Sequence, residues 1–318
     1  MYDVVALGEL LIDFAAVSSD AYGYPTMAAH PGGAPANFLA ALSKFGGKSA
    51  LIGKVGNDSF GHLLLGTLSE SGIDTVGMKL TDEFFTTLAF VSFDEHGDRR
   101  FSFSRKPGAD TQLRFDEIEL SLIDNTKVFH FGTLSLTHEP SRTATIKAVE
   151  YARSKSKLIS FDPNLRPALW GSLEDAKAQM EWGIRQADVV KISDEELDFL
   201  WQISPEKGAE KLIHEYGIKL AFVTCGAGGC VYMNPLSCGH VPALKNLNVI
   251  DTCGAGDIFG GSAMWMLLQI GKAPNELNDA ELSEIVRFAC TVAGLSTERS
   301  GGISSIPSLE EVKNLLNA

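Results

Sequence analysis

The chain has 318 residues, of which 45% are hydrophobic and 21% are charged, and this composition is typical of an ordinary globular enzyme. Its length suits one large α/β domain with an insertion, or two domains. The formal net charge is −13 and the basic residues are scattered along the sequence, which argues against a protein that binds nucleic acid.

Short β-branched runs alternate with helical patterns along most of the chain. Strands are predicted at residues 4–7, 50–55, 128–132, 158–161, 189–192, 220–224 and 247–250. Helices are predicted at residues 35–45, 60–71, 141–154, 173–186, 255–270, 282–297 and 309–317. This alternation predicts βαβ units, and therefore an α/β fold in which helices cover both faces of a mostly parallel sheet.

One segment interrupts this alternation. Residues 86–93 and 99–105 are two extended runs on either side of a turn at residues 94–98, which predicts a β-hairpin with no helix between its strands. Residues 14–27 also lack helical periodicity. Together these pieces would form a small sheet that projects from the main domain. Beside a glycine-rich cleft such a sheet would act as a lid, and the alternative is an ordinary edge hairpin.

The cysteines and the apolar segments indicate where the protein works. The number of cysteines is odd, and no Cys-x-x-Cys pair occurs, so the sequence favours reduced thiols over a zinc site. The first residues include acids where a signal peptide needs Lys or Arg. The longest apolar stretch, residues 258–270, is shorter than the roughly 20 residues that span a bilayer. We therefore expect a cytoplasmic protein that does not enter a membrane.

The strongest candidate site is the run Asp-Thr-Cys-Gly-Ala-Gly-Asp at residues 251–257. It follows a predicted strand, and a helix begins there with Asp257 in its first turn. The first amides of a helix, with the helix dipole behind them, bind anions. Phosphate would repel a carboxylate at this place unless the carboxylate served as the general base for an attacking hydroxyl group. The alternative is that Asp257 only stabilises its helix.

Other phosphate-binding motifs are absent from the sequence. A P-loop ending at residues 47–49 would need glycine where Leu42 stands, and a dinucleotide motif starting at Gly254 would need glycine where Phe259 stands. The His-Arg-Asp and Asp-Phe-Gly motifs of protein kinases are also missing. The sequence therefore predicts neither a P-loop NTPase, nor a dinucleotide oxidoreductase, nor a protein kinase.

A second glycine-rich turn precedes the first predicted helix. Gly32 and Gly33 allow a ligand to approach the backbone, and Asn37 offers an amide that both donates and accepts hydrogen bonds. Near the end of the first strand, Asp13 has a carboxylate suited to two neighbouring hydroxyl groups, although it could instead be a solvated loop acid. Open α/β sheets bind ligands where such polar groups meet at the carboxyl ends of strands.

Three further loops follow predicted strands. Arg166 stands between two prolines, which present its guanidinium rigidly for a phosphate group. The acids at residues 194–196 could orient a hydrated magnesium ion or merely cap the next helix. The flexible turn at residues 224–229, Thr-Cys-Gly-Ala-Gly-Gly, suits the phosphates or the ribose of a nucleotide.

These motifs resemble, in their order and separation, the two signatures of the ribokinase-like (PfkB) carbohydrate kinases. Residues 32–37 resemble the first signature, and residues 251–257 resemble the second, Asp-Thr-x-Gly-Ala-Gly-Asp. The runs at residues 52–58, 107–110, 130–136 and 162–167 are similar to the fructokinase branch. The resemblance covers residues 1–318 as one domain. It implies a Rossmann-like three-layer α/β/α fold with a β-sheet lid, at about residues 14–31 and 85–106, which often serves as a homodimer interface.

The resemblance also implies a reaction, the transfer of the ATP γ-phosphoryl group to the primary hydroxyl group of fructose. Asp257 would be the base, the amides of Gly254, Ala255 and Gly256 would form an anion hole, and Arg166 would face the phosphoryl oxygens. The sugar would contact Asp13, Gly32, Gly33, Asn37 and Arg105. The nucleotide would contact Lys191, Thr224, Gly226, Gly229, Gly254, Gly256 and Cys290. Glu196 would bind Mg²⁺ through water, and a K⁺ ion would be held by Asp251, Cys253, Ser296, Gly301 and Ser305.

Three positions depart from the family pattern. Ser193 stands where an Asn-x-x-Glu motif usually has Asn, Cys253 stands where Thr is usual, and Cys290 stands where Asn is frequent near the adenine. Within the family, aminoimidazole riboside and 2-keto-3-deoxygluconate are alternative substrates, and Arg105 with Lys106 would suit the acid group of the latter. A non-catalytic sugar-binding module is the alternative of another class, against which the presence of Asp257 argues.

Overall fold

The computed structural model describes residues 1–93 and 99–317, so the turn predicted at residues 94–98 lies outside the described residues. The strands are β1 (Tyr2–Leu7), β2 (Leu11–Ser19), β3 (Pro25–Gly32), β4 (Ser49–Gly56), β5 (Ile73–Asp74), β6 (Met78–Thr81), β7 (Leu88–Phe93), β8 (Arg99–Ser104), β9 (Thr126–Gly132), β10 (Leu158–Asp162), β11 (Val189–Ser193), β12 (Leu220–Thr224), β13 (Cys230–Met233) and β14 (Cys238–Val241). The α-helices are α1 (Ala34–Lys44), α2 (Ser59–Glu70), α3 (Leu120–Asp124), α4 (Ser141–Ser154), α5 (Leu173–Gln186), α6 (Asp194–Trp201), α7 (Pro205–His214), α8 (Ala255–Ile270), α9 (Asp279–Ser296) and α10 (Leu309–Leu316).

Within the described residues, a ten-stranded sheet forms the centre of the molecule. Its order is β14-β13-β12-β11-β10-β9-β1-β4-β5, with β6 paired to β4. The neighbouring strands from β12 to β5 pair in parallel, whereas β13 pairs antiparallel with both β12 and β14. The carboxyl ends of the parallel strands therefore meet at one edge.

Side chains along β1 alternate between the two faces of the sheet, and each face is covered by its own layer of helices. Val4 and Ala6 belong to a hydrophobic cluster on one face of the sheet, and Val5 and Leu7 belong to a cluster on the other. Helices α1, α2, α8, α9 and α10 contribute to the first cluster, and α3 to α7 contribute to the second. A strand buried on both faces becomes a continuous apolar run, as β1 is. The predicted three-layer α/β/α fold is confirmed.

A four-stranded sheet, the small sheet, lies beside the main one in the order β3-β2-β7-β8. Strand β2 pairs antiparallel with β3 and parallel with β7, and β7 pairs antiparallel with β8. Phe14 of β2 packs edge-on against Phe60 of α2 with ring centres 5.6 Å apart. The small sheet is therefore formed by both of the irregular pieces, as predicted, and it contacts the main domain through α2.

Two element predictions need correction. The strand predicted at residues 247–250 is wrong, because this run is an irregular segment in which Ile250 N and Asp251 N both donate to Thr297 O at 2.8 and 3.0 Å. Its apolar side chains face outwards, with Val249 57% and Ile250 61% exposed, and the antiparallel hairpin of β13 and β14 occupies the sheet edge instead. Helices α6 and α7 were missed, although each begins at a serine N-cap.

No helix in the described part of the chain is both long and apolar enough to cross a membrane.

Candidate active site

A cavity of about 230 Å³ lies between the small sheet and the carboxyl edge of the main sheet. Its walls come from β2 and β8 on one side, and from β11, the loop after β10 and the first turns of α1 and α8 on the other. Nine of the predicted site residues line it together, namely Asp13, Gly33, Asn37, Arg166, Lys191, Cys253, Gly254, Gly256 and Asp257. The fold thus brings to one place residues that stand far apart in the sequence.

The first turn of α8 forms the centre of this cavity. Gly254 is the N-cap of α8 and has a φ of 76°, in the left-handed region that favours glycine. A Cβ atom on Gly254 would lie 3.0 Å from Asn37 Nδ2 and 3.2 Å from Gly302 Cα, so a larger residue would displace its neighbours. Ala255 N donates to Thr252 O at 3.3 Å and Ala255 does not line the cavity, while the amides of a first helical turn have no partners within the helix and bear its positive dipole end. The arrangement suits an anion bound at residues 254–256.

Asp257 lies one turn into α8 and is only 7% exposed. Asn37 Nδ2 donates a hydrogen bond of 3.0 Å to Asp257 Oδ2. Burial raises the pKa of Asp257, while Lys191, Asn37 and Arg166 act in the opposite direction. A carboxylate with a raised pKa accepts a proton more readily than an exposed one, as a general base requires.

Asn37 has a second polar atom in the cavity wall. Its Oδ1 is buried and has no hydrogen-bond partner among the described residues. Because the carboxylate of Asp257 can only accept, Asn37 Nδ2 must face it, and Oδ1 is left as an acceptor. Buried polar atoms without partners are rare, and a Cβ atom on Gly302 would lie 2.2 Å from this oxygen, so it faces the Gly302 backbone beside the cavity.

Two cationic side chains, Lys191 and Arg166, line the cavity together with the first turn of α8. Lys191 Nζ lies 3.1 Å from Asp162 Oδ2, and a Cβ atom on Gly256 would lie 2.9 Å from the same Nζ. Burial alone would lower the pKa of Lys191, but the carboxylates of Asp162, Glu196 and Asp257 outweigh it and raise that pKa, so the ammonium group stays charged. Arg166 lines the same cavity and is close enough to Asp257 to lower its pKa. These charges can offset those of a phosphate group.

Asp13 lies on β2 and brings a carboxylate from the small sheet into the cavity. Burial raises its pKa to about 6, although Arg166 acts in the opposite direction. A Cβ atom on Gly32 would lie 2.3 Å from Asp13 Oδ2, so Gly32 makes room for this carboxylate without lining the cavity itself. Gly33 has a φ of 120° and exposes the backbone at the cavity wall.

Four of the residues predicted to bind the nucleotide, Thr224, Gly226, Gly229 and Cys290, lie farther along the same edge, whereas Lys191, Gly254 and Gly256 line the cavity itself. Thr224 ends β12 and pairs in register with Ser193 at the end of β11. Gly226 and Gly229 have φ values of 49° and 95° in the turn that follows. Cys290 of α9 interacts electrostatically with Cys225 of that turn, and burial raises the pKa of Cys290 to about 12. The structure therefore groups these four residues beside the cavity and not within its lining.

Glu196 has the capping role that the sequence analysis gave as one of two alternatives, the other being a ligand of hydrated magnesium. Its Oε2 accepts from Ser193 N at 2.8 Å and its N donates to Ser193 Oγ at 3.1 Å, which is the capping box of α6. Its Oε1 accepts from Leu165 N at 2.7 Å. The buried carboxylate also acts on Lys191 and Asp257. Each oxygen keeps a further lone pair, so the residue also fits a water-mediated Mg²⁺ ligand.

The residues predicted to bind K⁺ surround two adjoining loops. Asp251 Oδ1 accepts from Cys253 N at 2.9 Å, and Asp251 Oδ2 accepts from Gly301 N at 3.1 Å, so this carboxylate joins the loops. The hydroxyl groups of Ser296 and Ser305 donate to nearby backbone carbonyls. The loops are rich in carbonyl, carboxylate and hydroxyl oxygens, which are the ligand types that a hard cation prefers. The described residues contain no cluster of three or more His, Cys, Asp or Glu side chains that could hold a metal ion.

Arg105, like Gly32, is a predicted sugar contact that does not line the cavity. It is 2% exposed, and its Nε donates to Asp110 Oδ2 at 2.8 Å. Its Nη1 donates to Thr137 Oγ1 at 2.8 Å and its Nη2 donates to Leu134 O at 2.9 Å. The guanidinium thus connects the end of β8 to the loop after β9, at the root of the small sheet.

Sequence reasoning missed Glu9, which also lines the cavity. It is 3% exposed, and its Oε1 accepts from Ala34 N at 2.9 Å. Burial raises its pKa to about 7, against backbone hydrogen bonds and the nearby Arg105. The sequence feature that could have indicated Glu9 is its position two residues after a buried parallel strand, at the edge where ligands bind. Thr252, Phe103, Asn164 and Gly302 also line the cavity.

Comparison with known proteins gives consistent matches over the whole chain. Residues 1–309 match the pfkB family carbohydrate kinase. Fructokinase-1 of Zea mays is 42% identical over 320 residues, which cover 98% of this chain and 97% of the maize protein.

Solved structures match equally well. The structure of fructokinase with bound ATP from Xylella fastidiosa has a TM-score of 0.90 and 30% identity, covering 100% of this chain and 99% of that one. A double mutant of fructokinase from Vibrio cholerae O395, in its fructose-, ADP- and potassium-bound form, has a TM-score of 0.86 and 31% identity, covering 99% of this chain and 98% of that one.

Proposed function

The chain belongs to the pfkB family of carbohydrate kinases and is fructokinase-like, and we propose that it transfers the γ-phosphoryl group of ATP to the primary hydroxyl group of fructose. One observation carries this proposal. The buried carboxylate of Asp257 lies beside the anion hole at the start of α8, where Asn37 binds it and Lys191 and Arg166 face it. Near-complete alignment with a fructokinase supports fructose as the acceptor.

Asp257 acts as the general base of this reaction. Its carboxylate accepts the proton of the fructose hydroxyl group while that oxygen forms a bond to the γ-phosphorus. The bond from this phosphorus to the bridging oxygen breaks, and ADP leaves with the electron pair. The products are fructose 6-phosphate and ADP, and the proton stays on Asp257 until solvent removes it.

The anion hole stabilises the transferring group. Amides of Gly254, Ala255 and Gly256 face the phosphoryl oxygens, where negative charge is redistributed in the transition state. Lys191 and Arg166 add two positive charges at the same place. Thr224, Gly226, Gly229 and Cys290 extend this edge for the rest of the nucleotide.

The sugar binds between α1 and the small sheet. Asp13 accepts hydrogen bonds from two neighbouring hydroxyl groups, and Asn37 Oδ1 accepts one more. Gly32 and Gly33 allow the sugar to approach the backbone. Closure of the small sheet over this pocket excludes water, which would otherwise compete with the sugar for the phosphoryl group.

Two cations complete the proposed site. Glu196 would hold Mg²⁺ through water, and Mg²⁺ supplies charge neutralisation for the ATP phosphates. Asp251 would hold K⁺ with carbonyl groups of Cys253 and of the loop from Ser296 to Ser305. The bridge that Asp251 makes to Gly301 N supports this assignment, because a cation there would fix both loops beside the anion hole.

Association and location complete the proposal. The small sheet would serve as the interface of a homodimer, since Val17, Tyr22 and Tyr24 are exposed on the β2–β3 hairpin. The cytoplasm would be its compartment, because all five cysteines are free thiols.

The alternative substrate 2-keto-3-deoxygluconate loses support, because the guanidinium of Arg105, which would suit its acid group, already binds Asp110, Thr137 and Leu134.

A coupled ADP-release assay with Mg-ATP tests the substrate. Fructose, glucose, ribose, aminoimidazole riboside and 2-keto-3-deoxygluconate would be compared with and without potassium. We expect fructose to have the highest kcat/KM by at least about tenfold, because tenfold corresponds to about 1.4 kcal/mol and one hydrogen bond contributes roughly 0.5–1.5 kcal/mol. A higher kcat/KM for any other member of the panel would contradict the assignment of fructose while keeping the kinase family.

A further inference from the structure

Helix α1 carries Asn37, yet it begins without a capping side chain of its own. Its N-cap is Gly33, which has no side chain, and Pro35 occupies its first turn. The first amides of a helix need acceptors, and a side chain that supplies one stabilises the helix end by roughly 0.5–2 kcal/mol. An acceptor must therefore come from another part of the chain.

Glu9 supplies that acceptor from the turn between β1 and β2. Its Oε1 accepts from Ala34 N, the first residue of α1, at 2.9 Å. The two segments are in close contact, because a Cβ atom on Gly33 would lie 2.4 Å from Glu9 O and one on Gly8 would lie 2.6 Å from Pro35 Cγ. Glu9 therefore caps α1 across 25 residues of sequence.

The first turn of α1 also packs against the residues of the proposed anion hole. Asn37 Nδ2 is the atom that a Cβ on Gly254 would approach, and a Cβ on Gly302 would lie 2.2 Å from Asn37 Oδ1. The amide of Asn37 is thus enclosed between two glycines while it donates to Asp257. A shift of the first turn of α1 would move this amide and, with it, the carboxylate of Asp257.

We propose that Glu9 is a positioning residue for catalysis, whose carboxylate fixes the first turn of α1 and thereby holds Asn37 against Asp257. This inference rests on the proposed function of Asp257 as the base. Glu9 acts through Asn37 and does not touch the reacting atoms. The buried pair Arg105–Asp110 faces Glu9 as well, so the carboxylate lies among charges that the fold holds fixed.

Kinetics of Glu9→Ala and Glu9→Gln test this proposal. Misplacement of a catalytic group by about 1 Å can cost about 100-fold, so we expect Glu9→Ala to lower kcat with fructose by about 10- to 100-fold. The KM for ATP should stay within about twofold, because the nucleotide binds farther along the sheet edge. Glu9→Gln keeps an acceptor oxygen and should retain a kcat within about threefold of the wild type.

A matched control separates positioning from loss of stability. Ser172 caps α5 by accepting from Asp175 N at 3.1 Å and does not line the cavity. Ser172→Ala should lower the melting temperature about as much as Glu9→Ala does, with kcat unchanged. Hydrogen exchange at the Ala34 amide, followed by NMR without any substrate, should be faster in Glu9→Ala than in the wild type.

The remaining outcomes distinguish a failure of the positioning role of Glu9 from a failure of the proposed kinase function. A Glu9→Ala enzyme with wild-type kcat, or with unchanged exchange at Ala34, would overturn the positioning role. A Glu9→Gln enzyme as slow as Glu9→Ala would also overturn it, because charge and not the acceptor oxygen would then be needed. If the wild type phosphorylates no sugar, the proposed function fails, and the Ala34 amide still reports whether Glu9 caps α1.

Discussion

Gly254 lies at a position where the backbone itself makes the site. Its φ is 76°, a Cβ atom there would lie only 3.0 Å from Asn37 Nδ2, and its amide belongs to the proposed anion hole. Gly271 at the other end of α8 has a φ of 72°, but nothing lies within 4 Å of where its Cβ would be. These two glycines have the same left-handed backbone conformation and differ in their surroundings.

Substitution of each glycine by alanine separates the two effects. A left-handed φ costs a non-glycine residue roughly 1–2 kcal/mol, so Gly254→Ala and Gly271→Ala should lose similar free energy of unfolding in urea. We expect Gly254→Ala alone to lose activity, by about 10²-fold in kcat, because Asn37 and the anion hole must shift. Equal kcat values for the two variants would show that the backbone at residue 254 is not part of the site.

At the scale of single residues, the sequence predicted residues that share one cavity where local chemistry was specific. Asp257, Asn37 and Gly254 were predicted from two glycine-rich turns that resemble the family signatures, and all three line the cavity. Arg105 was assigned to the sugar, since a cation next to a hairpin does not reveal whether it faces a cavity or an ion-pair partner. Glu9 was missed because its partner, Ala34 N, is a backbone group that no side-chain pattern records.

At the scale of elements, the root of the small sheet depends on one buried ion pair. Arg105 Nη2 lies 2.6 Å from Asp110 Oδ2, and both side chains are almost fully buried. Thr87 Oγ1 also donates to Asp110, which attaches β7 and β8 to the same point. The same guanidinium binds Leu134 O, and Leu134 lines the cavity. The small sheet is therefore connected to the pocket through this pair.

Removing Arg105 should destabilise the protein strongly. Breaking a buried pair by deleting one partner costs roughly 3–5 kcal/mol, because the other charge stays buried. We expect Arg105→Ala to lower the free energy of unfolding in urea by about that amount. Lys127→Ala is the control, because it breaks an exposed pair with Asp3 and should cost less than about 1 kcal/mol. Similar losses for both variants would show that the Arg105–Asp110 pair does not hold the small sheet.

Elements were predictable where both faces of a strand are buried. Strands β1, β4, β9, β10, β11 and β12 are apolar runs of this kind, and each was found near its true bounds. The run at residues 247–250 is also mostly apolar, but it lies after the antiparallel hairpin has closed the sheet edge. Pairing between distant segments decides such cases, and local composition does not report it.

At the scale of the whole molecule, the net charge is negative, but the cavity contains local positive charge. The chain carries −13, yet its cavity presents Lys191, Arg166 and the positive end of α8 to an anion. Burial of Asp13, Asp257 and Glu9 raises the pKa of each carboxyl group, which weakens the negative charge of the same cavity. A negatively charged protein can thus hold a nucleotide through local groups.

The fold as a whole was predictable from the alternation of strands and helices. That pattern indicates a parallel sheet with two covered faces, and a parallel sheet places its loops at one edge. The sequence did not indicate how the small sheet pairs, because β2 and β7 join in parallel across more than 70 residues. Its contact with the pocket depends on that pairing.

Replacement of Asp257 tests the central claim most directly. The kcat of Asp257→Asn and Asp257→Ala would be measured with saturating fructose and Mg-ATP, beside Glu174→Gln, which removes a first-turn acid from α5. A positioned base contributes about 10²–10⁴-fold, so both Asp257 variants should lose at least about 10²-fold in kcat while still binding ATP. Glu174→Gln should match the wild type. Turnover by Asp257→Asn within about tenfold of the wild type would contradict the assignment of Asp257 as the base.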